Sequence, residues 1–252
     1  MNLTNNLRKY VKSLHLGKYR QKYNKFIAEG PKICSEFLSA DKYQIEYLFC
    51  TQQWADDNPK LVNSYASRLI ISSDKDHKTI SALHNANNTL IVAERHEPKQ
   101  SAIELITDNK WTIYLDRIQD PGNMGTILRI ADWYGINAVI STPDSVDFYN
   151  PKVVQSAMGA HNRISMLKSE VTELPLKQNN SIALVLDGTD INNYSDTKAG
   201  GIIVIGNESS GISEQMLSDC RAHLSIMRKG GAESLNAAVA CGIACHQLIS
   251  GD

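Results

Sequence analysis

Apolar positions recur along the chain with two periods, one helical and one strand-like, and their alternation predicts an α/β protein. Leu3, Leu7, Val11 and Leu14 lie at helical spacing within residues 1–30, most of which read as helical. Phe26-Ile27-Ala28 then reads as a short strand, and Pro31 suits the first turn of a helix running to about Ser39. Strands are expected at Ile45–Cys50, 68–72 and 90–93, with helices over 58–67 and 74–83, the last capped by Ser73 or Asp74. That makes one small α/β sandwich. The polar stretch 94–100, which contains Pro98, reads as a linker. The chain is thus expected to hold a first domain over 1–95, a linker over 96–100 and a second domain over 101–252.

In the second half, strands are expected at Trp111–Asp116, 137–140, 182–186 and 201–205, and around Leu224 and Ile226. Residues 117–125 read as a loop, with helices over 126–134, from Pro151 to Met158, over 213–217 and over 233–248. Strands alternating with helices imply a mostly parallel sheet covered on both faces. Ligands of such sheets gather at the carboxyl ends of the strands, and three glycine-bearing loops fall at such ends.

Composition changes this picture little. At 252 residues, 42% hydrophobic and 21% charged, the chain suits one large or two smaller soluble domains. No apolar run reaches the roughly 18 residues of a membrane span, and no apolar signal core opens the chain, so secretion is not expected. Five scattered cysteines without a C-x-x-C spacing point to reduced thiols and a cytoplasmic protein. Cys241 and Cys245, one helical turn apart and followed by His246, lack further ligand types nearby and read as core thiols, so no metal is expected.

The net charge of −1 does not point to nucleic acid. Its distribution is more telling. Arg8, Lys9, Lys12, Lys18, Arg20, Lys22 and Lys25 fall within residues 8–25 with no acid, and Tyr10, Tyr19 and Tyr23 interleave. Cations neutralise phosphates and tyrosines stack on bases. A solvated helix face would have the same composition, and the stretch leaves both readings open.

The first loop segment, DRIQDPGNMGTILRIADWYG (116–135), has a Pro-Gly turn, then Asn123 in the loop and Arg129 on the following helix. Arg129 interrupts an otherwise apolar helix, which favours a cleft position over a surface one. A dinucleotide-binding unit would share the strand, turn and helix, but the fingerprint G-x-G-x-x-G is absent. The second, IIVIGNESSGIS (202–213), sets Glu208 between Gly206 and Gly211 after an apolar strand. The third, LSIMRKGGAESLNAAVACGIA (224–244), runs from a strand through a basic glycine turn into an alanine-rich helix, with Ser234 and Asn236 at the helix start. Exposed N–H groups at such a start suit a ligand.

Together the three segments resemble the motifs of the SpoU/TrmH family of RNA ribose 2′-O-methyltransferases, in order and at family-like spacing over residues 110–250. KYRQKYNKFIAEGPKICSEFL, near the start, resembles that family's ribosomal-protein-like substrate-binding domain. The resemblance implies a SPOUT domain, trefoil-knotted around a mostly parallel sheet, behind a small α/β domain. It implies a homodimer that uses S-adenosylmethionine to methylate a ribose 2′-hydroxyl, with ribosomal RNA favoured over transfer RNA. An antibiotic-resistance role fits the same architecture. Carried over residue by residue, Arg129, Asn123, Glu208, Ser234 and Asn236 are the expected catalytic group. Leu186, Gly188, Ile205, Gly206, Ile226, Ser234, Leu235 and Asn236 are the expected cofactor-binding residues. Lys18, Arg20, Lys22 and Arg129 are the expected RNA contacts. Met227 stands where the family usually has proline, which puts the shape of that turn in question. The contrasting reading is a catalytically silent RNA-binding protein of the same fold. It would need none of Asn123, Arg129, Glu208, Ser234 and Asn236 together.

Overall fold

The computed structural model describes residues 3–40, 42–83, 85–107, 109–196 and 200–249. The chain forms two compact units. The first comprises 1–96 together with 149–162, and the second comprises 97–148 with 163–252.

In the first unit, α1 (Asn5–Ser13) and α2 (Gly17–Tyr23) lead into β1 (Lys25–Glu29), α3 (Pro31–Ser39) and β2 (Ile45–Cys50). Then come α4 (Gln52–Asp57), α5 (Pro59–Ser64), β3 (Leu69–Ile71), α6 (Asp74–Ile80) and β4 (Thr89–Glu94). The four strands make a mixed sheet in the order β1-β4-β2-β3. Val11 and Leu14 reach its core beside Ile27, Phe49 and Ile70, so the helical spacing at the N-terminus was a core stripe. The helical stretch expected there is broken at Leu14–Leu16, and Asn24, in the left-handed conformation, ends α2. Ser73 caps α6 and, with Asp76, closes a reciprocal capping box.

The second unit contains α7 (Ala102–Leu105), β5 (Trp111–Asp116), α8 (Pro121–Trp133) and β6 (Ala138–Ser141). After α9 (Pro151–Ala157), whose segment belongs to the first unit, come β7 (Ser165–Lys168), β8 (Ser181–Asp190), β9 (Gly201–Gly206), α10 (Glu214–Asp219), β10 (Ala222–Ser225) and α11 (Ala237–Ile249). Its six strands are paired in parallel throughout, in the order β10-β8-β9-β5-β6-β7. Every residue of β5 is buried, the continuous burial expected of a parallel strand covered on both faces.

Several elements differ from the sequence expectation. Residues 149–162 pack with the first unit because the Tyr149 ring lies 4.7 Å from Phe26 and 5.7 Å from His161, which in turn lies 6.1 Å from Phe37. Helix α8 begins at Pro121 rather than at 126, because Asp120 caps it by accepting from the Asn123 amide at 2.7 Å. Helix α11 begins at Ala237 rather than at 233, because Asn236 Oδ1 accepts from Ala238 N and Val239 N. Both caps use short polar side chains inside stretches that periodicity alone reads as one element. Strand β7 and the short helices α4 and α7 carry too few apolar repeats to stand out.

Buried thiols give the fold a pH dependence. Burial raises Cys34 well above the usual thiol range and pushes Cys50 and Cys220 each up to about 11. Cys241 is raised by its contact with Cys245 Sγ at 4.0 Å and then by burial. Unfolded thiols lose their protons near pH ~8.5, while these four hold theirs when folded. The unfolded state therefore binds fewer protons above that pH, and stability falls as pH rises. Lys42, held down to about 8 by burial, acts in the opposite direction as a single group. Denaturant midpoints measured from pH 7.5 to 10 are expected to decline, and more shallowly in Cys50→Ala/Cys220→Ala. A profile that stays flat or rises would contradict this.

Candidate functional site

The parallel sheet brings the carboxyl ends of β10, β8, β9 and β5 side by side along one edge. Strand β8 pairs with β9 only as far as Ala183↔Val204. Its pairing with β10 then jumps from Ala183 to Thr189, so Leu184–Gly188 bulges out of the ladder. Ser225 Oγ fastens the bulge by donating to Leu186 O at 2.7 Å. Residues 184–187 of this bulge line a cavity of about 710 Å³.

Leu186, Ile205, Ile226 and Leu235 supply apolar walls, and Asp187, Glu208 and Glu233 bring carboxylates. Gly206 has a steric reason to be glycine: a Cβ there would fall 2.5 Å from Gly211 C. That closeness comes from the tight turn 207–211, bridged by Asn207 N to Gly211 O at 3.1 Å and by Gly211 N to Asn207 O at 2.9 Å. The turn is pinned to the end of β5. Arg117 Nη2 donates to Gly211 O at 3.2 Å and Arg117 Nε to Asp116 Oδ1 at 3.0 Å, while Asp116 Oδ2 accepts from Ser213 N at 2.7 Å. Asn207 Nδ2 in turn donates to Arg117 O at 2.9 Å. Pairing of Asp116 and Arg117 is a structural role that the motif spacing did not signal.

The three glycine-bearing segments meet at Asn123. Its Nδ2 donates to Glu208 Oε1, and its Oδ1 accepts from Asn236 Nδ2 at 2.8 Å. Asn123 is buried, whereas Glu208 and Asn236 are exposed. Ser234 lines the cavity beside Leu235. Asn236 does not line it; it caps α11 and is tied to Asn123. Gly188 also stays off the lining. Its hydrogen lets β8 pass β10, since a Cβ would meet His223 O at 2.7 Å.

Arg129 is not brought to this cluster. It is exposed on α8, outside the cavity lining, while Asn123 is buried in the first turn of the same helix. The expectation that both side chains share one cleft assumed a loop at Asn123; the earlier helix start puts the two on one helix, Asn123 buried and Arg129 exposed. Met227 is half-exposed on the cavity wall, and side chains added at the neighbouring Gly230 or Gly231 would meet open space.

The expected RNA contacts divide. Lys18 and Lys22 are exposed on α2. Arg20 is not a surface residue: it is 2% exposed and donates from Nη1 to Leu14 O at 3.0 Å and to His15 O at 2.9 Å. A guanidinium satisfies the orphan carbonyls where α1 ends, and composition cannot tell that use from phosphate binding. Among the described residues, no cluster of three or more His, Cys, Asp or Glu side chains is placed to hold a metal ion.

Known proteins share this sequence pattern and fold. The model of the SpoU rRNA methylase family matches residues 110–246, and that of the MRM3-like substrate-binding domain matches residues 5–104. The 23S rRNA (guanosine(2553)-2′-O)-methyltransferase RlmP of Bacillus subtilis is 28% identical, over 94% of this chain and 93% of its own length. A solved structure of a putative RNA methyltransferase of the TrmH family from Porphyromonas gingivalis superposes with a TM-score of 0.84 at 30% identity, covering 99% of each chain. The SpoU methyltransferase AviRb of Streptomyces viridochromogenes, solved in complex with AdoMet, shares the fold with a TM-score of 0.82 at 21% identity, covering 98% of each chain.

The different placements of Arg20 and Lys18 predict different variants. Arg20→Ala leaves two carbonyls at the end of α1 without their donor and is expected to destabilise the chain by about 1–3 kcal/mol. Lys18→Ala, at an exposed site, is expected to stay within about 0.5 kcal/mol of the parent. Thermal unfolding of the two variants compares them directly, and equal melting temperatures would return Arg20 to the surface.

Proposed function

The chain belongs to the SpoU rRNA methylase family and is thereby an RNA 2′-O-methyltransferase that uses S-adenosylmethionine; on that premise we propose that its substrate is ribosomal RNA, that Arg129 is its central catalytic cation and that it works as a homodimer. The single observation that carries this reading is the joining of three separate segments by Asn123, Glu208 and Asn236 beside one cavity. The RlmP relative's name, a 23S rRNA methyltransferase, supports ribosomal RNA.

The cavity suits the cofactor. Its volume lies within the roughly 300–1,000 Å³ of ligand sites. Leu186, Ile205, Ile226 and Leu235 would hold the apolar faces of the nucleoside, and the lining carries both carboxylates (Asp187, Glu208, Glu233) and cations (Arg228, Lys229), which suits a ligand bearing charges of both signs. When bound, S-adenosylmethionine supplies an electrophilic methyl group on a sulfonium sulfur.

The remaining chemistry falls to side chains. A ribose 2′-hydroxyl is a weak nucleophile while protonated, so its proton must leave as the oxygen attacks. Arginine stays cationic at neutral pH. Arg129 is exposed and outside its own chain's cavity lining; in the proposed dimer its guanidinium serves the cavity of the partner subunit, where it stabilises the developing alkoxide or passes the proton to an RNA phosphate that it contacts. Asn123 holds Glu208 and Asn236 in register, which keeps Ser234 and the cavity wall in place for an in-line approach.

The dimer reading is supported by an apolar face. Helices α8 and α11 pack along each other, yet Trp133 is 84%, Val239 51% and Ile243 39% exposed on them. Side chains of this size on adjoining helices favour coverage by a second copy. The trefoil knot belongs to the same proposal and rests on the family resemblance. Five free cysteines support a reducing, cytoplasmic setting.

Replacing Arg129 with alanine is expected to leave S-adenosylmethionine binding intact by calorimetry while methyl transfer to ribosomal RNA falls by at least about 10²-fold, the range of one lost charge-stabilising group. Near-normal turnover would refute the assignment. For the assembly, sedimentation should give a dimer for the parent chain and weaken it in Trp133→Asp; a stable monomeric parent would contradict it.

A further inference from the structure

The basic N-terminal stretch is not uniform. Arg8 NH2 is ion-paired with Asp76 at 3.0 Å, Lys25 with Glu94 at 3.0 Å, and Arg20 is committed to backbone carbonyls. Lys9, Lys12, Lys18 and Lys22 remain exposed. No acid precedes Glu29 in the sequence.

Two of those lysines alternate with two tyrosines on α2. Lys18 and Lys22 lie one turn apart, as do Tyr19 and Tyr23. The Tyr19 and Tyr23 rings are stacked, with centroids 6.1 Å apart and planes 12° from parallel. The Lys18 ammonium sits 4.9 Å from the Tyr19 centroid, and that of Lys22 5.4 Å from the Tyr23 centroid. Tyr10 supports Tyr23 from the side, edge-on at 5.3 Å, and is itself anchored by donating to Glu46 at 2.9 Å. The pair is therefore ordered before any partner arrives, which lowers the cost of binding. A helix face that only needed solvation would have no use for an ordered ring stack, and Tyr23 is 38% exposed rather than packed into the core.

We propose that α2 is a stacking platform for unpaired nucleotides of the RNA substrate. An extruded base continues the tyrosine stack, while Lys18 and Lys22 meet the phosphates on either side of it. The inference rests on the RNA-methyltransferase reading above and deepens it, since α2 lies within the residues matched by the substrate-binding model. Charge complementarity selects a polyanion. The rings select single strands over duplex, because paired bases in an RNA helix keep their faces buried in their own stack.

The test uses the full chain with large-subunit ribosomal RNA from cells lacking the gene. Tyr19→Ala/Tyr23→Ala is expected to raise the KM for that RNA by about tenfold or more, with kcat and S-adenosylmethionine affinity unchanged. Tyr19→Phe/Tyr23→Phe keeps the rings and should behave as the parent, which separates stacking from hydroxyl bonding. Lys18→Gln/Lys22→Gln should weaken binding and reduce the log–log salt slope by roughly 1.4, for two single-strand phosphates. Oligouridylate should compete with the parent better than a blunt RNA duplex, and the alanine variant should lose that preference. An unchanged KM in the alanine variant, a loss confined to kcat, an equal loss in the phenylalanine variant, or equal competition by duplex would each overturn the platform. Failure of the parent chain to methylate this RNA would instead overturn the substrate reading.

Discussion

The Asn123 carboxamide offers a donor on one side and an acceptor on the other, and each goes to a different loop. Its amide nitrogen holds Glu208 after β9, and its oxygen holds Asn236 before α11. Its own backbone is fixed by the Asp120 cap at the start of α8. Three segments far apart in sequence thus take their relative positions from one buried side chain. A buried amide left half-satisfied costs more than the pair of bonds it makes, so the arrangement resists partial opening. The cavity wall at Ser234 and Leu235 follows from that register, because both residues directly precede Asn236.

The parts of the fold and site that the sequence disclosed are those governed by repetition. Continuous apolar runs marked β5 and β9, and the spacing of Leu7, Val11 and Leu14 marked the buried side of the N-terminal helix. The three loops were legible because glycine, asparagine and glutamate cluster where strands end. What stayed hidden depends on single capping contacts and on partners distant in sequence. The caps at Asp120 and Asn236 are single residues to which apolar periodicity is blind, and so α8 and α11 begin at other residues than it suggests. The Asp116–Arg117 pair, which pins the turn around Glu208, was illegible for the same reason: its partners lie about ninety residues away. Arg129 shows the limit from the other side. Its place in an apolar helix suggests a cleft, yet the side chain is exposed and outside the lining of this chain's cavity.

Charge was the least legible property. Within one short basic stretch, equal formal charges do unlike work. One guanidinium ends a helix from the inside, two cations are neutralised by carboxylates, and the remaining ammonium groups face water. Net charge near zero therefore coexists with a strongly cationic surface on one helix, since the acids that balance the total lie elsewhere in the sequence. Local field, rather than overall charge, governs how a protein meets a polyanion.

The membership of residues 149–162 in the first unit has a consequence for biosynthesis. A ribosome delivers 1–96 first, and these carry Phe26 and Tyr43, whose rings pack against Tyr149, and Phe37, whose ring packs against His161. Until Asn162 leaves the exit tunnel, that aromatic pocket faces water without its cover. The usual rule that an N-terminal domain folds to completion while the rest is being made does not hold for this chain. Its first unit is finished only after two strands of the second have been synthesised, so the nascent polypeptide passes through a long interval with an open apolar surface.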